Sequence, residues 1–346
     1  MKLKAVSGIM LTLLFIGVLS LAFDIQLASS EPTTVIVPDD YERIQWAINN
    51  ASVGTTIFVK AGIYYENVVV DKTISLVGEN ITTTVIDGNR TALKDTILVT
   101  SGNVLIANFT IRNSYYSGIK LDFYTSYNTI ANNNITNNDD GIVLQDSSKN
   151  KILYNNIENN TWNGIFLINN EGEWGNEVIG NTIKNNYNGI NSYDIDRVEA
   201  NTFFHNSFIN NKRQVIYYYS GYQDIWHNGY LSGGNYWSDH NPPDIYSGSH
   251  QNETGRDKIG DIPYVIDGNN TDSYPLIYPY GCIPSADLND DGIVNILDAI
   301  RLMNAFGSEP GDVCMPCWDP KADINQDGIV NILDAIILAG QFGEKG

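Results

Sequence analysis

Four Gly-Ile pairs constrain this chain more than any other feature. Gly118-Ile119, Gly141-Ile142, Gly164-Ile165 and Gly189-Ile190 recur at spacings of 23, 23 and 25 residues. A second register places Ile111, Ile135, Ile157, Ile183 and Ile209 among asparagines, spaced 24, 22, 26 and 26 residues apart. Within each repeat the apolar positions alternate, as in Ile119/Leu121, Ile142/Leu144 and Ile165/Leu167. Period 2 indicates strands rather than helices. A unit of this size cannot bury its own apolar face, so it must stack on its neighbours. Parallel strands stacked about 4.8 Å apart then give one continuous core. The expected fold is mainly β, a parallel β-helix (solenoid). A leucine-rich repeat has a similar period but needs an L-x-x-L-x-L frame and a helix per repeat, which are absent. The asparagines fit the turns. They tolerate left-handed backbone, and stacked amides can hydrogen-bond from coil to coil.

Residues 33 to 100 carry short β-branched runs punctuated by glycine: Thr34-Val35-Ile36-Val37, Ile57-Phe58-Val59, Gly62 to Tyr65, Val68 to Val70 and Ile74 to Gly78. These read as strands and turns, with a short amphipathic helix at Ile44 to Asn49. The 40 acidic and 20 basic residues give a net charge of −20. That argues against nucleic acid or an anionic membrane surface as partner and suits cation binding. At the N-terminus Lys2 and Lys4 precede an apolar run from Gly8 to Phe23, and Ala28 and Ser30 are small. We read residues 1–30 as a cleaved secretory signal, with no membrane span in the mature chain. The expected location is secreted or cell-surface, where disulfides are allowed. Cys282, Cys314 and Cys317 are odd in number, and the expected bridge joins Cys282 to Cys314 or Cys317.

Residues 44 to 86 (Ile44-Gln45, Ala47-Ile48, Gly54, Val59, Gly62, Tyr65-Glu66, Val68, Val70, Ile74, Leu76, Gly78) resemble the first coils of pectin-lyase-like right-handed β-helices. The asparagine-rich coils, with Gly234 to Asp239, Ile259 to Tyr264, Asp267 to Asn270 and Tyr274-Pro275-Leu276, resemble the NosD-like, carbohydrate-binding and sugar-hydrolase group. This resemblance covers about 33 to 280. It implies a right-handed solenoid that binds or processes polysaccharide.

A different pattern closes the chain. Asp287-Leu288-Asn289-Asp290-Asp291-Gly292-Ile293-Val294-Asn295-Ile296-Leu297-Asp298 returns 36 residues later as Asp323-Ile324-Asn325-Gln326-Asp327-Gly328-Ile329-Val330-Asn331-Ile332-Leu333-Asp334. Calcium takes six to eight oxygens from a tightly turned loop. Asp287, Asn289, Asp291, the Ile293 carbonyl, Asn295 and Asp298 supply that set at positions 1, 3, 5, 7, 9 and 12. Asp323, Asn325, Asp327, Ile329, Asn331 and Asp334 repeat it. An apolar helix follows each loop, ending near Gly307 and Gly343. A duplicated loop with one helix and Asp at position 12 resembles a type I dockerin over 286–346. The resemblance implies two Ca²⁺ ions, a cohesin partner, and a role in partner choice for Ile296, Leu297, Ile332 and Leu333.

For the solenoid two readings stay open, a glycan-binding module and a glycoside hydrolase or polysaccharide lyase. Acid candidates are Asp139, Asp140 and Asp146, with Asp122 one coil before Gln145, and separately Asp194, Asp196, Arg197 and Glu199. Two residues back from each repeat glycine stand Tyr116, Asp139, Trp162 and Tyr187. Equal phase puts them in one column that could stack on sugar, flanked by Tyr124 and Trp174. Copper has little support, because His205, His227, His240 and His250 form no H-x-H motif. Asp257, within 255–261, is a further calcium candidate. Sequons fall at Asn50, Asn80, Asn89, Asn108, Asn134, Asn159, Asn252 and Asn269.

Overall fold

The computed structural model describes residues 33–90, 93–168, 175–193, 199–219, 223–280, 288, 293–309, 321–324 and 329–342. Residues 1–30, expected to be a signal, and the three cysteines with their expected bridge lie outside this set.

The repeats form a parallel β-solenoid of about seven turns. Each turn contributes one strand to each of three sheets. Sheet A holds eight strands, from Thr34–Val37 through Leu105–Ala107, Thr129–Ala131 and Lys151–Leu153 to Thr202–Phe204. Sheet B also holds eight, from Gly62–Tyr65 through Thr110–Arg112, Asn134–Thr136 and Asn156–Glu158 to Tyr236–Trp237. Sheet C holds seven: Val68–Val70, Ile97–Val99, Ser117–Leu121, Asp140–Gln145, Asn163–Ile168, Asn188–Tyr193 and Arg213–Tyr217. The repeat phase is the strand register: Ile119 pairs with Ile142, Ile142 with Ile165 and Ile165 with Ile190. These isoleucines and Leu121, Leu144 and Leu167 are fully buried. Aliphatic stacks from all three sheets share one core.

The helix Ile44–Asn50 (α1) covers the first coils with Ile44, Ala47 and Ile48. Glu66 caps it, accepting from the amides of Ile44 at 3.0 Å and Gln45 at 3.1 Å.

Where a corner carries an asparagine pair, its two members differ. The first residue of the pair is in the left-handed region, as at Asn132 (φ 54°), Asn137 (φ 56°) and Asn159 (φ 56°). The next residue is a buried asparagine: Asn133, Asn138 and Asn160. Three amide ladders result, one per corner. In the middle ladder Asn133 donates its backbone N–H to Asn155 Oδ1 (2.9 Å), Asn155 to Asn181 (2.9 Å), Asn181 to Asn206 (3.0 Å) and Asn206 to Asn235 (3.0 Å). Each side-chain amide also donates to a strand carbonyl, as Asn155 Nδ2 does to Ile130 O at 2.9 Å. These amides satisfy backbone groups that the corner removes from the sheets.

The repeat glycines serve close approach. A Cβ at Gly141 would lie 2.4 Å from the Gly164 carbonyl oxygen and 2.7 Å from Ile157 Cγ2.

At the C-terminal end the stacks turn aromatic. Phe208, Trp237 and Tyr264 stack successively at 4.4 and 4.1 Å. Asp272 ends the middle ladder, accepting from Asn235 N (2.7 Å), Trp237 Nε1 (3.0 Å) and Tyr274 N (3.1 Å). Burial pushes its carboxyl up to about 7, although those donors favour the carboxylate.

The C-terminal region carries two helices, Ile296–Ala305 (α2) and Ile332–Gly340 (α3). Its core is small: Leu288, Val294, Leu302, Ala305, Ala322, Val330 and Leu338.

Candidate functional site

Register fixes what lies on the corner between sheets B and C. Ser117, Asp140, Asn163, Asn188 and Arg213 are aligned across successive coils. The residues just before them, Tyr116, Asp139, Trp162, Tyr187 and Lys212, therefore form the neighbouring row. Backbone bonds join it, with Trp162 N donating to Asp139 O at 2.8 Å and Arg213 N to Tyr187 O at 3.0 Å.

The aromatic members differ in accessibility. Trp162 is 53% exposed and Tyr116 is 50% exposed. Tyr116 meets Tyr115 edge-on at 5.0 Å. Tyr187 is half-buried and meets Trp162 edge-on at 5.7 Å. Lys212 Nζ stands 4.4 Å from its ring centre and Arg213 Cζ 5.6 Å. Its ring carries two cations, whereas Trp162 and Tyr116 are the more exposed rings of the row. The sequence reading missed Lys212 and Arg213, although the repeat phase extended by one coil reaches them. Tyr124 does not flank this column. It is exposed beyond the opposite end of the Ser117–Leu121 strand, beside Phe123 at 6.4 Å. Trp174 lies outside the described residues.

The acid candidates separate. Asp139 pairs with Arg90. Asp140 Oδ1 accepts from Asn163 N at 3.1 Å and from Asn163 Nδ2 at 2.7 Å, and burial pushes its carboxyl up to about 6. Asp146 follows the far end of the strand Asp140–Gln145. At about 3.3 Å per residue that is roughly 20 Å from Asp140, too far for a glycosidase pair. The grouping of Asp146 with Asp139 and Asp140 is thereby corrected. Asp122 pairs with Lys120 at 3.1 Å. Glu199 is exposed, whereas Asp194, Asp196 and Arg197 lie outside the described residues.

The exit segment offers no cation cage among the described residues. Asp257 accepts from Ile259 N (3.0 Å) and Gln251 Nε2 (2.9 Å), while Asp261 accepts from Ile245 N and Tyr246 N. These carboxylates cap turns.

In the C-terminal region, positions 7, 9 and 12 of each loop meet at a helix start. Asn295 caps α2 by accepting from Leu297 N at 2.8 Å. Asp298 is buried and accepts from Asn295 N and Leu288 N, both at 2.8 Å. Asn331 and buried Asp334 repeat the contact at 2.8 Å. Asn295 and Asn331 donate to the Ile293 and Ile329 carbonyls at 2.9 and 3.0 Å. Asp323 is also buried. Carbonyl, amide and carboxylate oxygens gathered around two helix starts fit a hard cation. Asp287, Asn289, Asp291, Asn325 and Asp327 lie outside the described residues. On α2 the apolar residues Ile296, Leu297, Ile300 and Met303 are exposed rather than packed in the core. The side chains of Ile332 and Leu333 are outside the described set.

Fold and sites together define a parallel β-helix protein with a duplicated calcium-loop module. Residues 48–242 match the family described as "Periplasmic copper-binding protein (NosD)". That is more than half of the chain, which belongs to the NosD family. Residues 285–343 match the type I dockerin domain. No curated protein matches the chain. Pectin methylesterase from carrot is 16% identical with a TM-score of 0.31, covering 48% of this chain and 65% of that one. ORF18 of Geobacillus virus E2 is 14% identical with a TM-score of 0.35, covering 57% and 54%. Pectin methylesterase from Aspergillus niger is 16% identical with a TM-score of 0.37, covering 56% and 82%. The chain thus spans under two thirds of the first two, and these likenesses carry no argument about activity.

Among the described residues the histidines do not gather into a copper centre. His205 stacks on Tyr280 at 4.1 Å, and His227 accepts from Gly229 N. His240 contacts the Ile262 carbonyl and His250 contacts Ser249. Each histidine is engaged separately. Among the described residues no helix is long and apolar enough to cross a membrane.

Proposed function

We propose that the chain is a carbohydrate-binding solenoid, held on a cohesin-bearing scaffold outside the cell by its calcium-dependent C-terminal module. The domain limits are those of the sequence, 33–280 and 286–346. One observation carries the glycan reading: exposed Trp162 stands one coil from Asp139, whose carboxylate is held by Arg90, in one row with exposed Tyr116. Sugar recognition needs such an apolar ring face next to fixed polar groups. Two Ca²⁺ ions, one per loop, would hold the module. Asp298 and Asp334 neutralise charge there and fix the helix starts. Exposed Ile296, Leu297, Ile300 and Met303 supply an apolar face for the cohesin.

The test is retention on insoluble polysaccharides. Trp162→Ala should abolish retention while leaving thermal unfolding unchanged. Retention untouched by that substitution moves the site elsewhere.

A second reading is hydrolysis, favoured by the raised Asp140 carboxyl, which keeps a proton nearer neutral pH than an ordinary aspartate. New reducing ends that vanish in Asp140→Asn would establish it.

A further inference from the structure

The solenoid is strongly acidic, and seven of its cations lie within 4 Å of a carboxylate. Lys212 and Arg213 are not among these seven. Both are exposed, and neither forms an ion pair among the described residues. They are adjacent in sequence and converge on the Tyr187 ring at 4.4 and 5.6 Å. That ring abuts Trp162. A cation resting on an aromatic face keeps its charge and donors for a ligand, and the ring fixes its position.

The groups facing this corner do not cancel that charge. Asp139 is neutralised by Arg90. Asp140 is turned into the amide row through Asn163. Asp239, beside Gln214, accepts from Gln214 Nε2 at 3.1 Å and from Tyr264 Oη at 3.2 Å. The corner is thus a localised positive site on a negative molecule, one ring removed from the best stacking surface.

Resting on the glycan reading above, we propose that this corner selects a glycan bearing carboxylate or sulfate groups. A sugar ring lies on Trp162, and the anionic substituent of a neighbouring ring meets Lys212 and Arg213. Tyr187 positions the two cations and does not itself stack on sugar.

The experiment is titration calorimetry of the full chain with calcium. The probes are a neutral polysaccharide, a uronate-bearing one and a sulfated one, at low and high salt. The acidic glycans should bind about tenfold more tightly than the neutral one at low salt, as charge-assisted contacts demand. High salt should remove that advantage. The double variant Lys212→Gln/Arg213→Gln should remove it too while leaving neutral binding and thermal unfolding unchanged. Whichever acidic probe binds tighter identifies carboxylate or sulfate as the group read. Neutral and acidic glycans bound alike, or a preference that survives the double variant, would overturn the proposal and leave the glycan reading standing. No binding to any probe would overturn both.

Discussion

The solenoid and the C-terminal module solve the same problem, how to build from short repeats, by opposite means. In the solenoid each coil meets its neighbour through backbone ladders, aliphatic stacks and amide ladders, all supplied by the chain itself. The module has a core of a few residues and buries Asp298, Asp323 and Asp334. Buried carboxylates need a counter-charge, which Ca²⁺ would supply in the proposed reading. The solenoid fills its ladders mostly with neutral amides, and its buried acids Asp87, Asp224 and Asp272 have partners within the chain: Asp87 pairs with Arg112, and Asp224 and Asp272 accept ladder and aromatic donors.

The largest test of this contrast is calcium removal. Chelation should erase the helical signal of α2 and α3 and leave the β signal intact, as followed by circular dichroism. A module that keeps its helices in chelator would break the distinction. Next is the amide ladder. Asn155→Ala strips the acceptor used by Asn133 and the donor used by Ile130 O. Unsatisfied buried groups should cost about 2–4 kcal/mol, measured by denaturant unfolding. A loss below half a kcal/mol would mean that the ladders are passive. Smaller again is the corner residue before the ladder. Asn132→Ala places an alanine at φ 54° and should cost about 1 kcal/mol, whereas Asn132→Gly should be close to neutral. Equal losses in these two variants would count against backbone strain as the cause.

A separate test is the pH response of the solenoid's closing end. The folded-state carboxyl of Asp272 is raised from 3.8 to about 7. The native chain therefore holds a proton that the unfolded chain releases. This contribution is fully present below about pH 4 and is lost as pH rises through 7. Thermal unfolding from pH 4 to 8 should show wild type losing ground to Asp272→Asn as pH rises. Parallel curves for the two proteins would remove Asp272 from the account.

The sequence made the solenoid readable because a strand register is a periodic quantity. Gly118, Gly141, Gly164 and Gly189 reported it directly, and the Tyr116–Trp162–Tyr187 column followed from the same phase. Other features lacked such a signal. At some corners one residue type performs two jobs, so the division between Asn132 and Asn133 is invisible in composition. Asp146 is close to Asp140 in sequence, but an extended strand converts six residues into distance. On α2, periodicity identified an apolar stripe without saying which side it faces. Leu302 and Ala305 pack inward, and Ile296, Ile300 and Met303 remain outside. Closure of the middle ladder by Asp272 depends on a contact 37 residues away from Asn235, which no local pattern announces.

The most direct test joins both ends of the molecule. Labelled type I cohesins would be mixed with the full chain, calcium and an insoluble acidic polysaccharide, and the pellet assayed for cohesin. The account predicts cohesin in the pellet, lost with chelator and lost with Trp162→Ala. Cohesin that binds the chain in solution yet never follows it to any polysaccharide would contradict the account.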